Sequence, residues 1–241
     1  MQAEAIRLAV EAHRRNMPYC MGTLYWQFND CWPVISWSSI DYGGNWKALH
    51  YAARKFFSPL LVSMRDLDNK IEIHVTNDQH HEVESEIRLG LFNFNGDTLF
   101  NDSSDIKVEP FSSVIYHAFD KDDLLGGSDP SAIIFRAELF VGGKVMSRAH
   151  QFFRRPKYLS IPSPEFDYEI ERVSGKYVIT VRSKSFLCQL HLISTKVRGV
   201  FSDNYFDMLP GEVQMIDFEP SENKELKKSD LRAGTLYEMM N

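Results

Sequence analysis

The chain opens on a helical pattern. Ile6, Ala9, Val10 and His13 recur at i, i+3, i+4 and i+7, which predicts a helix over residues 2–16 with one apolar face. Asn16-Met17-Pro18 ends it, because proline cannot continue the hydrogen-bond ladder. Cys20 to Phe28 is then a near-continuous apolar and aromatic run of strand length, the pattern of a strand buried on both faces under helices. A loop rich in Trp, Ser and Gly extends from Asn29 to Asn45. Trp46, Leu49, His50, Ala53, Phe56 and Phe57 restore the helical period, with Asn45 as the expected N-cap and Pro59 as the stop. Residues 1–58 thus read helix, strand, loop, helix.

After Pro59 the period changes from 3.6 to 2. Ile71, Ile73 and Val75 alternate with polar partners, and Glu86 to Phe94 leads into Asn95-Gly96, a dipeptide suited to the positive φ of a tight hairpin. Strand-like runs follow at 106–109, 112–119 and 131–141, and Gly142-Gly143 turns the chain into Lys144 to Phe153. This spacing predicts an all-β sandwich over residues 59–154. The proline-bearing stretch from Arg154 to Pro164 reads as a boundary, since proline stiffens an exposed linker. Residues 155–241 repeat the β pattern, with strands expected at 166–173, 177–182, 187–194, 197–202 and 213–218.

Composition narrows the class. The chain has 241 residues, 44% hydrophobic and 25% charged, which is ordinary for a globular protein with a substantial core. Lys and Arg number 27 against 33 Asp and Glu, a net charge of −6, and no basic run is long enough to track a phosphate backbone. Nucleic acid is therefore not an expected partner. The apolar runs fall short of the roughly 18 residues of a membrane span, so no membrane contact is expected. Cys20, Cys31 and Cys188 show no metal-ligand spacing and read as buried reduced thiols; neither metal nor cofactor is expected.

The four tryptophans change the picture, because all fall between Trp26 and Trp46. A strand ending in Trp-Gln-Phe-Asn-Asp places an aromatic face, an amide and a carboxylate at one C-terminal strand end, where β/α folds collect their active sites. Such a group suits a sugar, whose C–H face stacks on a ring while its hydroxyls need donors and acceptors. Trp26, Asn29, Asp30 and Trp32 are the candidate substrate-binding residues. Gln27 alternates to the other strand face, while Trp37, Trp46 and His50 read as structural.

The run LYWQFNDCWPVISWSSIDYGGNWKALHYAARKFF, Leu24 to Phe57, closely resembles the end of the catalytic barrel in family-two glycoside hydrolases of the beta-mannosidase type. The resemblance implies a mainly β fold: two C-terminal immunoglobulin-like sandwiches preceded by the last helix-strand-helix piece of a (β/α)8 barrel. It implies a retaining exo-hydrolase of terminal β-D-mannose, with a β-mannoside or manno-oligosaccharide as substrate. That chemistry needs two carboxyl groups about 5 Å apart. The family's two glutamates stand in Asn-Glu and Ser-Glu contexts on earlier strands, so the expectation is that no catalytic residue lies in this chain. Asp30 and Asp41, the carboxylates nearest the aromatic cluster, read as hydroxyl acceptors or loop anchors. The chain would then pack on a missing N-terminal barrel and β domains. Held alone, its barrel piece is expected to pack on the first sandwich, to dimerise, or to be partly disordered. Compartment stays open: lysosomal in an animal, cytoplasmic, periplasmic or secreted in a bacterium. Two other readings compete. One is a non-catalytic carbohydrate-binding or scaffold module, with Tyr205 and Phe206 as possible stacking residues; the other is a family-two β-galactosidase or β-glucuronidase.

Overall fold

The computed structural model describes residues 1–240. Two compact units divide the chain: Met1–Phe28 with Ala52–Asn93 and Asp97–Leu159, and Asn29–Tyr51 with Phe94–Gly96 and the stretch from Ser160 onward. Each is built on an antiparallel β-sandwich of immunoglobulin-like architecture.

In the first unit, β1 (Leu60–Asp66), β2 (Lys70–Asn77) and β5 (Ser112–Asp120) form a three-stranded sheet in the order β1-β2-β5. β3 (Val83–Asn93), β4 (Thr98–Val108), β6 (Ile133–Val141) and β7 (Lys144–Phe152) form a four-stranded one in the order β4-β3-β6-β7. The alternation dictates the core: Ile71, Ile73 and Val75 are fully buried and pack with Ile87, Leu91, Phe135 and Leu139. Asn95-Gly96 makes the expected turn, with Gly96 at φ 95°. A short helix α3 (Lys121–Leu125) follows β5, its first turn capped by the Asp120 carboxylate, which accepts from the Asp122 and Asp123 N–H groups at 2.9 and 3.3 Å.

In the second unit, β8 (Phe166–Val173), β9 (Lys176–Ser183), β11 (Gly199–Phe201) and β13 (Val213–Pro220) form a sheet in the order β11-β13-β9-β8. β10 (Leu187–Ser194), β12 (Phe206–Met208) and β14 (Leu231–Gly234) form the other, in the order β12-β10-β14. The architecture repeats but the assignment does not. The first sandwich puts its two opening strands in the smaller sheet, and the second puts them in the larger.

The helix α1 (Gln2–Arg15) forms as its pattern requires, but it buries a different face. Val10, Glu11 and Arg14 are buried, whereas Ala9 and His13 are exposed. The reason lies in what it packs on. α1 rests on the β1-β2-β5 sheet, whose residues facing away from the core include Ser63, His74 and Thr76, all buried. A polar surface calls for paired charge rather than apolar side chains. Arg14 donates to the carbonyls of Phe56 (2.6 Å) and Ser58 (2.7 Å) and to the Asp78 carboxylate (2.7 Å). Glu11 pairs with Arg7 at 2.7 Å and Arg15 at 3.7 Å, while Arg15 reaches the Met64 carbonyl.

This interface titrates. Burial pushes the His74 imidazole below its ordinary value; Glu72, at 3.3 Å, opposes the shift, and Arg15 and Arg65 add to it. A histidine unfolded at about pKa 6.5 takes up its proton before the folded one does. Stability contributed by neutral His74 is therefore full above that value and declines as pH falls below it. Urea midpoints measured across pH 5 to 7 should show this decline, and His74→Gln should flatten it.

Two sequence expectations are corrected. Residues 20–28 form no strand; they carry no regular secondary structure, with bends at Trp26 and Phe28 and no sheet partner among the described residues, and Leu24, Trp26 and Phe28 are exposed. A strand is held by backbone partners on a neighbour, and none lies beside this segment. The second barrel-type helix, α2 (Ala48–Phe56), starts later than Asn45, because the Asn45 N–H and amide are both bonded to the Asp41 carboxylate and cap no helix. α2 and the short closing helix α4 (Tyr237–Met240) complete the α-helices of the described residues.

Candidate functional site

The tryptophan-bearing loop is held from within. Asn29 bridges Ile40 in parallel, Ile40 bridges Trp46 antiparallel, and the Asp30 and Lys47 N–H groups donate to the carbonyls of Ile40 and Ser39 at 3.1 and 2.9 Å. At the centre lies the Asp30 carboxylate, its side chain 1% exposed. It accepts from the hydroxyls of Ser36 and Ser38, the latter at 2.7 Å, and from the Lys47 ammonium at 3.3 Å. Lys47 also donates to Ser38 Oγ at 2.7 Å, so anion, cation and hydroxyl close on one another. The hydroxyls of Ser36 and Ser38, and then Lys47, hold the Asp30 carboxyl below the usual carboxylate range. Asp41 does the same work one turn later, accepting from Asn45 across the Gly43-Gly44 bend.

These bonds divide the candidate residues by role. Asp30 spends its charge inside the loop. Trp32, Trp37 and Asn29 in the same unit are exposed, with Asn29 donating to the Asp30 carbonyl at 3.2 Å. Trp26, 74% exposed, belongs to the first unit, where the neighbouring Tyr25 ring stacks on Phe57 at 6.3 Å. The peptide bond between Trp26 and the half-buried Gln27 is cis.

Trp46 is half-buried against His50 (4.3 Å) and Tyr51 (5.3 Å). Tyr51 continues the stack to Tyr205 (5.9 Å), and Tyr205 to His191 (5.3 Å). Tyr51 is part of the second sandwich's core, and Trp46, Tyr205 and Phe206 pack against that core. Tyr205 and Phe206 are thus packing residues rather than a free stacking surface. His50 Nδ1 lies 3.1 Å from Ser39 Oγ.

Sequence reasoning missed Ser36, Ser38 and Lys47. A signal for the first two was present: small hydroxyls at alternate positions within an aromatic run, where packing alone favours apolar residues. Nothing in the local pattern marks Lys47 as Asp30's partner. Among the described residues, no group of three or more His, Cys, Asp or Glu gathers to hold a metal ion, and no helix is long and apolar enough to cross a membrane.

Comparison with known proteins adds independent findings. The family described as the mannosidase Ig/CBM-like domain matches residues 69–158, and the mannosidase Ig-fold domain matches residues 161–239. Beta-mannosidase A of Aspergillus oryzae is 26% identical over 240 residues, covering 92% of this chain and 26% of that protein. The beta-mannosidase of Capra hircus is 49% identical over 76 residues, 28% of this chain and 9% of the goat protein. The crystal structure of β-D-mannosidase from Dictyoglomus thermophilum superimposes with a TM-score of 0.85 at 24% identity, covering 97% of this chain and 28% of that one. The exo-chitosanase CsxA of Amycolatopsis orientalis has the same fold, with a TM-score of 0.73 at 16% identity over 97% of this chain and 32% of its own. The chain spans about a quarter of the length of the Aspergillus relatives it matches. With both mannosidase immunoglobulin-like domains in sequence, the chain belongs to the beta-mannosidase type of family-two glycoside hydrolases and corresponds to their C-terminal part.

Proposed function

We propose that this chain is the C-terminal portion of a retaining exo-glycosidase that removes terminal β-D-mannose. Residues 1–58 supply one closing wall of its barrel, and 59–154 and 155–241 its two supporting sandwiches. The observation that carries the reading is the loop from Asn29 to Lys47, which spends a buried carboxylate, a lysine and two serines on holding exposed tryptophans in place. That is a large polar investment for a surface loop with no ligand to meet. In the second unit Trp32 offers a stacking face to the sugar and Asn29 an amide to its hydroxyls, with Asp30 as the anchor beneath; Trp26, in the first unit, is proposed on its own exposure as a stacking residue of the whole enzyme.

Retaining hydrolysis needs a nucleophile and an acid/base about 5 Å apart. Asp30 and Asp41 are both committed to loop bonds, so the pair comes from the remainder of the enzyme and this chain alone is inactive. In the whole enzyme the backbone of residues 20–28 then pairs with neighbouring barrel strands, and the exposed side chains of Tyr19, Met21, Leu24 and Phe28 are covered there.

The test is an assay of the whole enzyme and of this chain, side by side, on chromogenic β-mannoside, β-galactoside and β-glucuronide. Turnover of the β-mannoside by the whole enzyme only is the expected result. Activity in the chain alone, or preference for another glycoside, sinks the reading. In the whole enzyme, Trp32→Ala should raise KM about tenfold, the loss of one stacking face worth about 1.4 kcal/mol.

A further inference from the structure

One triplet in the chain, Asn101-Asp102-Ser103, has the form Asn-x-Ser/Thr with x other than proline. It lies in β4, an edge strand that pairs with β3 and leaves its other side free of any strand. All three residues are exposed. Phe100 and Ile106 pack against the core, so strand alternation turns Asn101 and Ser103 together to the outer face of the sheet. The cross-strand partner of Asn101 is Gly90, whose missing side chain makes room for the Phe92 ring beside it.

We propose that Asn101 is an N-glycosylation acceptor. The donor is a polyprenyl-pyrophosphate-linked oligosaccharide. The amide nitrogen of Asn101 attacks C1 of its reducing-end sugar; the C1–N bond forms as the bond from C1 to the pyrophosphate oxygen breaks. The amide gives up one proton, and the polyprenyl pyrophosphate leaves with the electron pair. Ser103, two residues on and on the same face, supplies the hydroxyl that the acceptor motif requires. The site also has a physical use. β4 is eleven residues long and pairs with no strand on its free side; the Lys107 carbonyl accepts from the Tyr116 hydroxyl and the Ser103 N–H donates to the Asp102 carboxylate, and the rest of that edge is a template for pairing with another chain. A hydrated glycan at its middle blocks that approach. The inference is independent of which glycoside the enzyme cleaves.

The experiment takes the whole enzyme produced in a eukaryotic secretory host, treats it with peptide N-glycosidase in heavy-oxygen water, and follows the tryptic peptide from Leu89 to Lys107 by mass spectrometry. Conversion of Asn101 to heavy-oxygen aspartate is expected, abolished in Ser103→Ala and retained in Ser103→Thr. Ser103→Ala removes an exposed hydroxyl and Ser103→Thr keeps it with one added methyl, so loss in the first and retention in the second separates motif recognition from folding. An unmodified Asn101 in the secreted protein overturns the proposal. So does conversion that persists in Ser103→Ala, or recovery of the protein from the cytosol alone.

Discussion

Asp30→Ala should lower kcat/KM of the whole enzyme by about a hundredfold while both sandwiches stay folded. The substitution removes the acceptor shared by Ser36, Ser38 and Lys47, and leaves the Lys47 ammonium without its carboxylate. The segment between Asn29 and Trp46 keeps its few backbone bridges but loses the bonds that fix the base of Trp32. Displacing a positioning group by about 1 Å costs catalysis on this scale. Asp30→Asn still accepts from the serines but forfeits the ion pair, so its loss should be intermediate. Proteolysis of the loop in Asp30→Ala, with unchanged urea midpoints, would tie the effect to loop order. A variant with full activity and a protected loop would refute the anchoring role. The pH behaviour has a defined sign. An aspartate held below its ordinary value of about 3.9 contributes fully above that pH and loses its contribution only as pH falls through the lowered value. The loop should therefore remain closed through mildly acidic conditions.

Arg14→Leu should destabilise the first unit by about 2–4 kcal/mol. The guanidinium, 7% exposed, satisfies the carbonyls of Phe56 and Ser58 and pairs with Asp78. Leucine keeps the stem's apolar volume but leaves two carbonyls at the end of α2 and the start of β1 without their donor. Each such loss costs about 1–3 kcal/mol when buried. Asp78 is partly exposed and regains water, so it adds little. Hydrogen exchange should quicken along α1 first, because Arg14 ties its last turn to the end of α2 and to Asp78, leaving Arg15 as that turn's bond to the sheet. A midpoint unchanged in urea would show that water replaces the guanidinium at no cost.

The same pair of sites shows why part of the architecture was legible and part was not. Strands with one face to a core announced themselves, as Ile71-Ile73-Val75 did, because their side chains alternate between two environments. β1 did not, since Leu60 through Met64 are all buried: one face meets the sandwich core and the other meets α1. β4 was read only at its end, because Asn101-Asp102-Ser103-Ser104-Asp105 has the composition of a loop. It is a strand because β3 offers it a complete ladder, and its polar side chains suit an edge. In the candidate site, the aromatic cluster was visible as a local concentration of tryptophan. The fate of Asp30 was not, because its partner Lys47 stands 17 residues away and the spacing has no period.

By itself, then, the amino-acid sequence determined two alternating β regions, a helix at each end of an aromatic segment, and a family likeness concentrated between Leu24 and Phe57. Those features depend on periodicity and composition, which are properties of neighbours along the chain. Only the tertiary structure decided that α1 meets its sheet with charge rather than with its apolar face. It also decided that residues 20–28 take no ladder here and that Asp30 anchors rather than faces solvent. Each of these turns on which group lies opposite in space, and a hydrogen bond or ion pair is worth what its partner and its burial make it.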